Sequence, residues 1–182
     1  MKELLLVDVQ SPLLRSAIYL LDISGARTNI TADFLRADFP VWSQKSNLIA
    51  FLGTKPYAGS DDKIEHFSQL ESRVGYPWRL YLYDPHGLTT EELHLNIIHP
   101  SSLKWSPDGN MLAFSGEYKG APGIWILDNL ANPDNLSITR IVDGLATFDF
   151  SPDSEFMAYA YSGLLNTEKQ NILYMVDLKT YR

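Results

Sequence analysis

The chain contains no cysteine, which excludes disulfide bonds, thiolate metal sites and cysteine nucleophiles. Basic residues are also scarce, since 15 Lys and Arg against 22 Asp and Glu leave a net charge of −7. A nucleic-acid backbone or an anionic membrane attracts basic protein surfaces. Neither is therefore expected as the main partner.

Long apolar runs are absent as well. A membrane span needs roughly 18 apolar residues, and a secretory signal needs an apolar core of roughly 7 to 15 residues. The first apolar run, in MKELLLVD, already ends at Asp8. The sequence as written thus predicts a cytoplasmic chain without a membrane span.

An eleven-residue pattern occurs three times. Residues 41–51, 104–114 and 149–159 read VWSQKSNLIAF, KWSPDGNMLAF and DFSPDSEFMAY. In SPDG, proline presets φ, aspartate accepts nearby backbone N–H groups and glycine adopts a left-handed conformation, so each copy is predicted to be a β-hairpin. The shared aromatic residues and turn aspartates are interpreted as structural: Trp42, Trp105, Phe150, Asp108 and Asp153.

A second motif, an aromatic residue within an apolar run that ends in aspartate, occurs four times. Its copies are IYLLD at 18–22, LYLYD at 80–84, IWILD at 124–128 and LYMVD at 173–177. A weaker apolar element follows the first three. Four short strands in about 45 residues are typical of a β-propeller blade. The aspartate that ends each copy is expected to cap the next turn: Asp22, Asp84, Asp128 and Asp177.

The SPDG-x-x-[IL]-A-[FY] hairpin followed by IY-x-x-D resembles the PD40, or TolB-like, β-propeller repeat. The G-H and W-D pairs of true WD40 repeats are missing, so the repeat is only WD40-like. The resemblance implies an all-β fold of four-stranded antiparallel blades. Two copies depart from the pattern, because QKSN at 44–47 replaces SPDG and Ser154 replaces the glycine. A left-handed residue other than glycine would cost about 1 kcal/mol there.

The repeats divide the single domain into four units: unit 1 at 1–36, unit 2 at 37–100, unit 3 at 101–144 and unit 4 at 145–182. Unit 1 lacks a first strand and unit 4 lacks a fourth, so about four blades are predicted, incomplete at both ends. The exposed end faces need a cover. There are three alternatives. Either a second copy completes a homodimeric ring of about eight blades, or the chain is a fragment of a longer propeller, or it pairs with a different partner or forms an open four-blade arc. A fragment of an exported TolB-like protein would be periplasmic.

Unit 2 contains a long insertion at about 53–78. Its middle predicts a short amphipathic helix at 61–74, with Asp62 and Glu65 forming a capping box. The helix either covers its own blade or binds a partner. Loops between second and third strands project around the mouth of a propeller, where binding is common. The candidate partner-binding residues are Tyr57, His66, Phe67, Trp78, Arg36 and His99.

Catalytic and cofactor motifs are lacking. There is no G-x-S-x-G, Walker A or G-x-G-x-x-G sequence. The group of Asp61, Asp62, Glu65 and His66 is interpreted as a solvated helix start, so no metal, cofactor or catalytic residue is predicted. The resemblance implies a non-enzymatic protein-binding scaffold. The alternative is a substrate-gating or sensor propeller of a prolyl-oligopeptidase-like peptidase or a lyase whose catalytic part lies elsewhere.

Overall fold

The computed structural model describes residues 4–10 as backbone, and residues 15–56, 78–130, 135–161 and 172–181. All thirteen elements described there are strands, and paired strands are antiparallel, so the all-β class is confirmed. The helix expected at 61–74 lies outside the described residues. The strands are β1 Leu4–Gln10, β2 Arg15–Leu21, β3 Arg27–Asn29, β4 Arg36–Trp42, β5 Ile49–Thr54, β6 Trp78–Asp84, β7 Thr89–Trp105, β8 Met111–Tyr118, β9 Ala121–Asp128, β10 Ser137–Asp143, β11 Ala146–Phe150, β12 Phe156–Tyr161 and β13 Leu173–Asp177.

Strand β7 is the central strand of a seven-stranded sheet and changes its partner along its length. Its first part pairs with β6 from Thr89 to Ile97, and its second part pairs with β8 from Ile97 to Trp105. Ile97 is the residue that both pairings share. In a flat sheet an internal strand would pair on both sides along its whole length. The described strands form hydrogen-bonded sheets of three, seven and three strands, and the change of partner along β7 divides the middle sheet into two halves.

The continuity of β7 differs from the sequence-based division, which places a unit boundary after Pro100. The chain passes from one half of the seven-stranded sheet to the other without leaving extended structure. His99 has a φ of 48°, and the register with β8 shifts between Ile98 and Ser102. A bulge of this kind bends and twists a strand. The bend directs the two halves of β7 towards different partner strands, β6 and β8.

Apolar clusters lie between successive sets of strands. In β5, Phe51 contributes to the cluster shared with unit 1, whereas Leu52 contributes to the cluster shared with unit 3. Ile126 of unit 3 packs with Phe148 and Met157 of unit 4 in a third cluster. The sheets of units 2 and 3 therefore bury both faces. Burial on both faces explains why their strands are nearly continuous apolar runs rather than alternating ones.

The three hairpins share one hydrogen bond, from the repeated serine to the residue that follows the turn. The bonds are Ser43 N to Leu48 O at 2.8 Å, Ser106 N to Met111 O at 2.9 Å and Ser151 N to Phe156 O at 2.8 Å. The left-handed residue is Gly109 in unit 3 and Ser154 in unit 4, but in unit 2 it is Asn47. Asparagine adopts this conformation readily, so the turn of unit 2 is displaced by one residue.

Neighbouring hairpins are also bonded to each other. The indole Nε1 of Trp105 donates to the carbonyl of Val41 at 3.2 Å. One unit further on, the backbone N–H of Asp108 donates to Ser154 Oγ at 3.1 Å. These contacts hold the first strands of units 2, 3 and 4 beside one another. The repeat residues thus join the units as well as shaping each turn.

The outer side of unit 4 is apolar and exposed. Leu173 is 73% exposed and Met175 is 69% exposed. Their strand, β13, pairs with β12 and has no second partner among the described strands. On the opposite face, Tyr159 and Tyr174 stack with ring centroids 5.2 Å apart, and Tyr159 packs against the cluster shared with unit 3. In the described ranges, no helix is long and apolar enough to cross a membrane.

Candidate functional site

The insertion of unit 2 leaves the sheets next to an arginine–tryptophan pair. β5 ends at Thr54 and β6 begins at Trp78, on either side of the insertion. The guanidinium carbon of Arg36 lies 3.9 Å from the centre of the Trp78 ring, and Phe39 packs edge-on against that ring at 6.1 Å. Arg36 is buried. Its charge is therefore held in a cation–π contact, which is strongest where water is excluded.

His99 lies at the same end of the sheets. It is exposed and follows, by two residues, the Ile97 that pairs with Trp78. We call Arg36, Phe39, Trp78 and His99 the loop-side patch. The sequence-predicted candidates Arg36, Trp78 and His99 are thus brought to one end of the sheets. Tyr57, His66 and Phe67 lie outside the described residues.

A polar network lies on unit 2 beside this patch. Glu92 accepts hydrogen bonds from Arg79 and from the Tyr81 hydroxyl. Burial opposes ionisation of Glu92, but the hydrogen bond from Arg79 prevails and lowers its pKa. Burial raises the pKa of Tyr81, and the charge of Glu92 raises it further. Glu92 is thus a fixed carboxylate and Tyr81 a neutral phenol at pH 7. These states suit structural anchoring better than proton transfer.

Three of the four aspartates that end the second motif bond to the turn that follows them. Their Oδ1 atoms accept backbone N–H groups: Asp22 from Ser24, Asp84 from His86 and Asp177 from Lys179, each at 2.8 Å. Asp128 departs from this pattern, because no donor among the described residues bonds to its carboxylate. Burial, assisted by the charge of Asp108, raises the pKa of Asp128.

A second difference sets unit 3 apart. In unit 2, Asn47 Nδ2 donates to His86 Nε2 at 2.6 Å, joining the hairpin turn to the turn after the third strand. In unit 4, Lys179 Nζ donates to Glu155 Oε1 at 2.5 Å and joins the equivalent turns. In unit 3 the position equivalent to His86 and Lys179 is Leu130, which cannot make a polar contact.

A cavity of about 320 Å³ opens where unit 3 lacks this contact. We call it the turn-side cavity, because it lies at the hairpin turns, at the opposite end of the strands from the loop-side patch. It was not predicted from the sequence. The available indication was the residue two places after the repeated aspartate, which is apolar in unit 3 and polar in units 2 and 4. The lining residues are Ser46, Leu48, Trp105, Gly109, Asn110, Asp128, Asn129 and Leu130.

The raised pKa of Asp128 gives a stability prediction. An acid whose pKa is higher in the folded state destabilises the fold once it is ionised, and stability falls as pH rises through the folded pKa. Asp128→Asn is expected to increase the free energy of unfolding at pH 7. The gain should be modest, because the side chain is partly exposed. It should disappear below the unfolded pKa of 3.8.

Urea unfolding at pH 7 and at pH 3.5 measures this difference. Asp84→Asn is the matched control, since Asp84 has the same place in the repeat but bonds to its own turn. Asp108 and Tyr181 are the titratable groups that interact with Asp128. A stabilisation of Asp128→Asn that stays equal at both pH values would contradict the prediction.

Comparison with known proteins identifies the fold. No protein-family model and no curated protein matches the chain. TolB from Acinetobacter baumannii is 19% identical with a TM-score of 0.64, covering 98% of this chain and 39% of that chain. A protein described as TolB from Agrobacterium tumefaciens is 18% identical with a TM-score of 0.63, covering 96% of this chain and 57% of that one. Oligogalacturonate lyase from Vibrio parahaemolyticus is 15% identical with a TM-score of 0.60, covering 91% of this chain and 46% of that one.

At these identities the likeness concerns the fold alone, which is similar to part of a TolB-like β-propeller. The chain spans less than two thirds of the length of these structures. Among the described residues, no group of three or more His, Asp or Glu side chains could hold a metal ion.

Proposed function

We propose that the chain is part of a TolB-like propeller that acts as a non-enzymatic binding scaffold for another protein. Recognition takes place on the face bearing the 53–78 loop. The Arg36–Trp78 contact at the base of that loop supports this proposal most directly. Tryptophan is enriched among residues that dominate binding at protein interfaces, and the buried Arg36 fixes the position of the Trp78 ring. The strands beneath them are rigidly packed, so the patch presents a preformed surface.

The scaffold is proposed to be built from about four blades, one for each strand set, with the end blades incomplete. The exposed Leu173 and Met175 then mark a blade face that is covered in the working assembly. We propose that a second copy covers it, in a homodimeric ring of about eight blades. Sedimentation of the purified chain tests this assembly. A monomer of 20.6 kDa that binds no hydrophobic dye would overturn it.

Site-directed photo-crosslinking in cells tests the recognition face. A photoreactive residue at His99 is expected to capture one protein reproducibly. The same residue at Asp153, which is exposed at the hairpin turns, should not capture it. Replacing residues 58–75 with a short linker should leave the circular dichroism spectrum β-type and abolish the crosslink. The captured protein, once purified, should bind the intact chain and fail to bind the deletion variant in calorimetry.

Two results would contradict the assignment of this face. A deletion variant that no longer folds would mean that the segment is structural. In that case Trp78→Leu, which leaves the segment in place and removes the indole, still tests the patch. Equal capture from His99 and Asp153 would mean that recognition does not take place at the loop-side end.

The alternative function is a substrate-gating or sensor propeller whose catalytic part lies elsewhere. The likeness to an oligogalacturonate lyase favours it. The two proposals differ in one measurable property. A scaffold binds its protein partner without any effect on an oligosaccharide or peptide. A gating propeller changes the rate or selectivity of a separately supplied lyase or peptidase when the two are mixed.

A further inference from the structure

The turn-side cavity exists because unit 3 lacks a polar contact that units 2 and 4 both make. In those units a polar pair closes the gap between the two turns, through Asn47–His86 and Glu155–Lys179. In unit 3, Leu130 replaces the polar partner, and the Asn110 amide donates to Asp108 Oδ2 within its own turn at 2.8 Å. The gap consequently stays open as a cavity.

The cavity walls combine apolar surface with one carboxylate that has no described hydrogen-bond donor. Leu48, Trp105 and Leu130 supply the apolar surface. Asp128 supplies the negative charge. The nearby carboxylate of Asp108 is already engaged, because Ser106 Oγ donates to it at 2.6 Å and the N–H of Asn110 donates at 3.1 Å. Asp128 is thus the carboxylate left to receive a ligand.

We propose that the turn-side cavity binds an alkylammonium cation, with the lysine side chain of a protein as the natural form of this group. The aliphatic stem would pack on Leu48, Leu130 and Trp105, as lysine stems commonly pack on apolar surface. The ammonium group would pair with Asp128 and relieve its repulsion from Asp108. The volume, at the small end of the range for ligand sites, suits one side chain rather than a large molecule.

This inference is independent of the proposed function. The turn-side cavity and the loop-side patch are at opposite ends of the strands. Loss of crosslinking at His99 would leave the cavity untouched, and failure of the cavity to bind amines would leave the patch untouched.

The proposal is tested by adding two named probes to the intact chain and monitoring the chemical shifts by two-dimensional NMR. The first is n-butylammonium, and the second is the peptide acetyl-Gly-Gly-Lys-Gly-Gly-amide. Both should shift the Trp105 indole N–H and the amides of Asn110, Asn129 and Leu130 in a saturable manner. n-Butanol and the norleucine peptide, which keep the stem but lack the charge, should bind about tenfold more weakly, as expected for loss of a charge-assisted contact.

Variants identify the residue responsible. Asp128→Asn should weaken butylammonium binding about tenfold, whereas Asp84→Asn, at the equivalent place in unit 2, should leave it unchanged. The proposal is overturned if neither cation causes saturable shifts at these residues, or if Asp128→Asn binds as tightly as the native chain. Tighter binding of the lysine peptide than of butylammonium would assign the site to protein ligands. Equal affinity would assign it to free amines.

Discussion

Phe114→Ala is expected to lower the free energy of unfolding by about 3–5 kcal/mol. Phe114 is the last residue of the eleven-residue pattern in unit 3, and it is 0% exposed in the cluster between units 2 and 3. Its ring stacks with Trp125 at a centroid distance of 6.4 Å. Removing the ring therefore leaves a cavity between two sheets that cannot both move inward, because each also packs on a further neighbour.

The same pattern position in unit 4 provides a matched control. Tyr159 is only partly buried, and it stacks with Tyr174 at the margin of the cluster between units 3 and 4. Tyr159→Ala should cost about 1 kcal/mol, the contribution of one aromatic pair. Urea unfolding monitored by fluorescence measures both variants. A cost below about 1 kcal/mol for Phe114→Ala would contradict the buried stacking of successive sheets.

Unfolding measurements at several protein concentrations test the proposed second copy. Association that buries the outer face of unit 4 stabilises the folded state by mass action. Met175 lies on that outer face and is 69% exposed. The cost of Met175→Ala should then rise as the protein concentration increases, while the cost of Phe114→Ala stays constant. A cost of Met175→Ala that is independent of concentration would contradict a ring made from two copies.

The strand order followed from the sequence because the repeated residues form the same bonds in each copy. Ser43, Ser106 and Ser151 each donate from the backbone across the hairpin turn. A serine, a short turn and the apolar residues on either side of it determine this geometry locally, so three copies in the sequence imply three hairpins. The continuous β7 was not predicted, since a bend at His99 depends on how two sheets pack rather than on local composition.

The turn-side cavity was harder to predict from the sequence, because it depends on a difference between copies of the repeat. The pattern of aspartates at the end of the third strand treats Asp84 and Asp128 as equivalent. Their environments differ because His86 gives unit 2 a partner for Asn47, whereas Leu130 gives unit 3 none for Asn110. A repeat motif consists of residues that the units share, whereas the turn-side cavity forms where the residues of unit 3 differ from those of unit 2. Comparison of the positions that vary between copies is therefore the better guide to binding sites in such a chain.

Trp105→Ala is expected to lower the free energy of unfolding by about 3 kcal/mol, at the lower end for a large aromatic residue because the side chain is half-buried. Two contributions of Trp105 to the free energy of unfolding can be separated. The ring packs against the cluster between units 2 and 3, and its Nε1 donates to Val41 O of unit 2. Trp105→Phe keeps most of the packing but removes the hydrogen bond, so it should cost about 1 kcal/mol.

Trp42, at the same position in unit 2, shows which of the two contributions joins the units. Its Nε1 donates to Asn47 Oδ1 within its own turn at 3.3 Å. Trp42→Phe should therefore leave amide hydrogen exchange in unit 3 unchanged, whereas Trp105→Phe should accelerate exchange at the start of unit 2 and in unit 3 together. Acceleration confined to unit 3 in Trp105→Phe would mean that the indole stabilises its own hairpin. The units would then be coupled by apolar burial alone, and the repeated tryptophan would have no role between sheets.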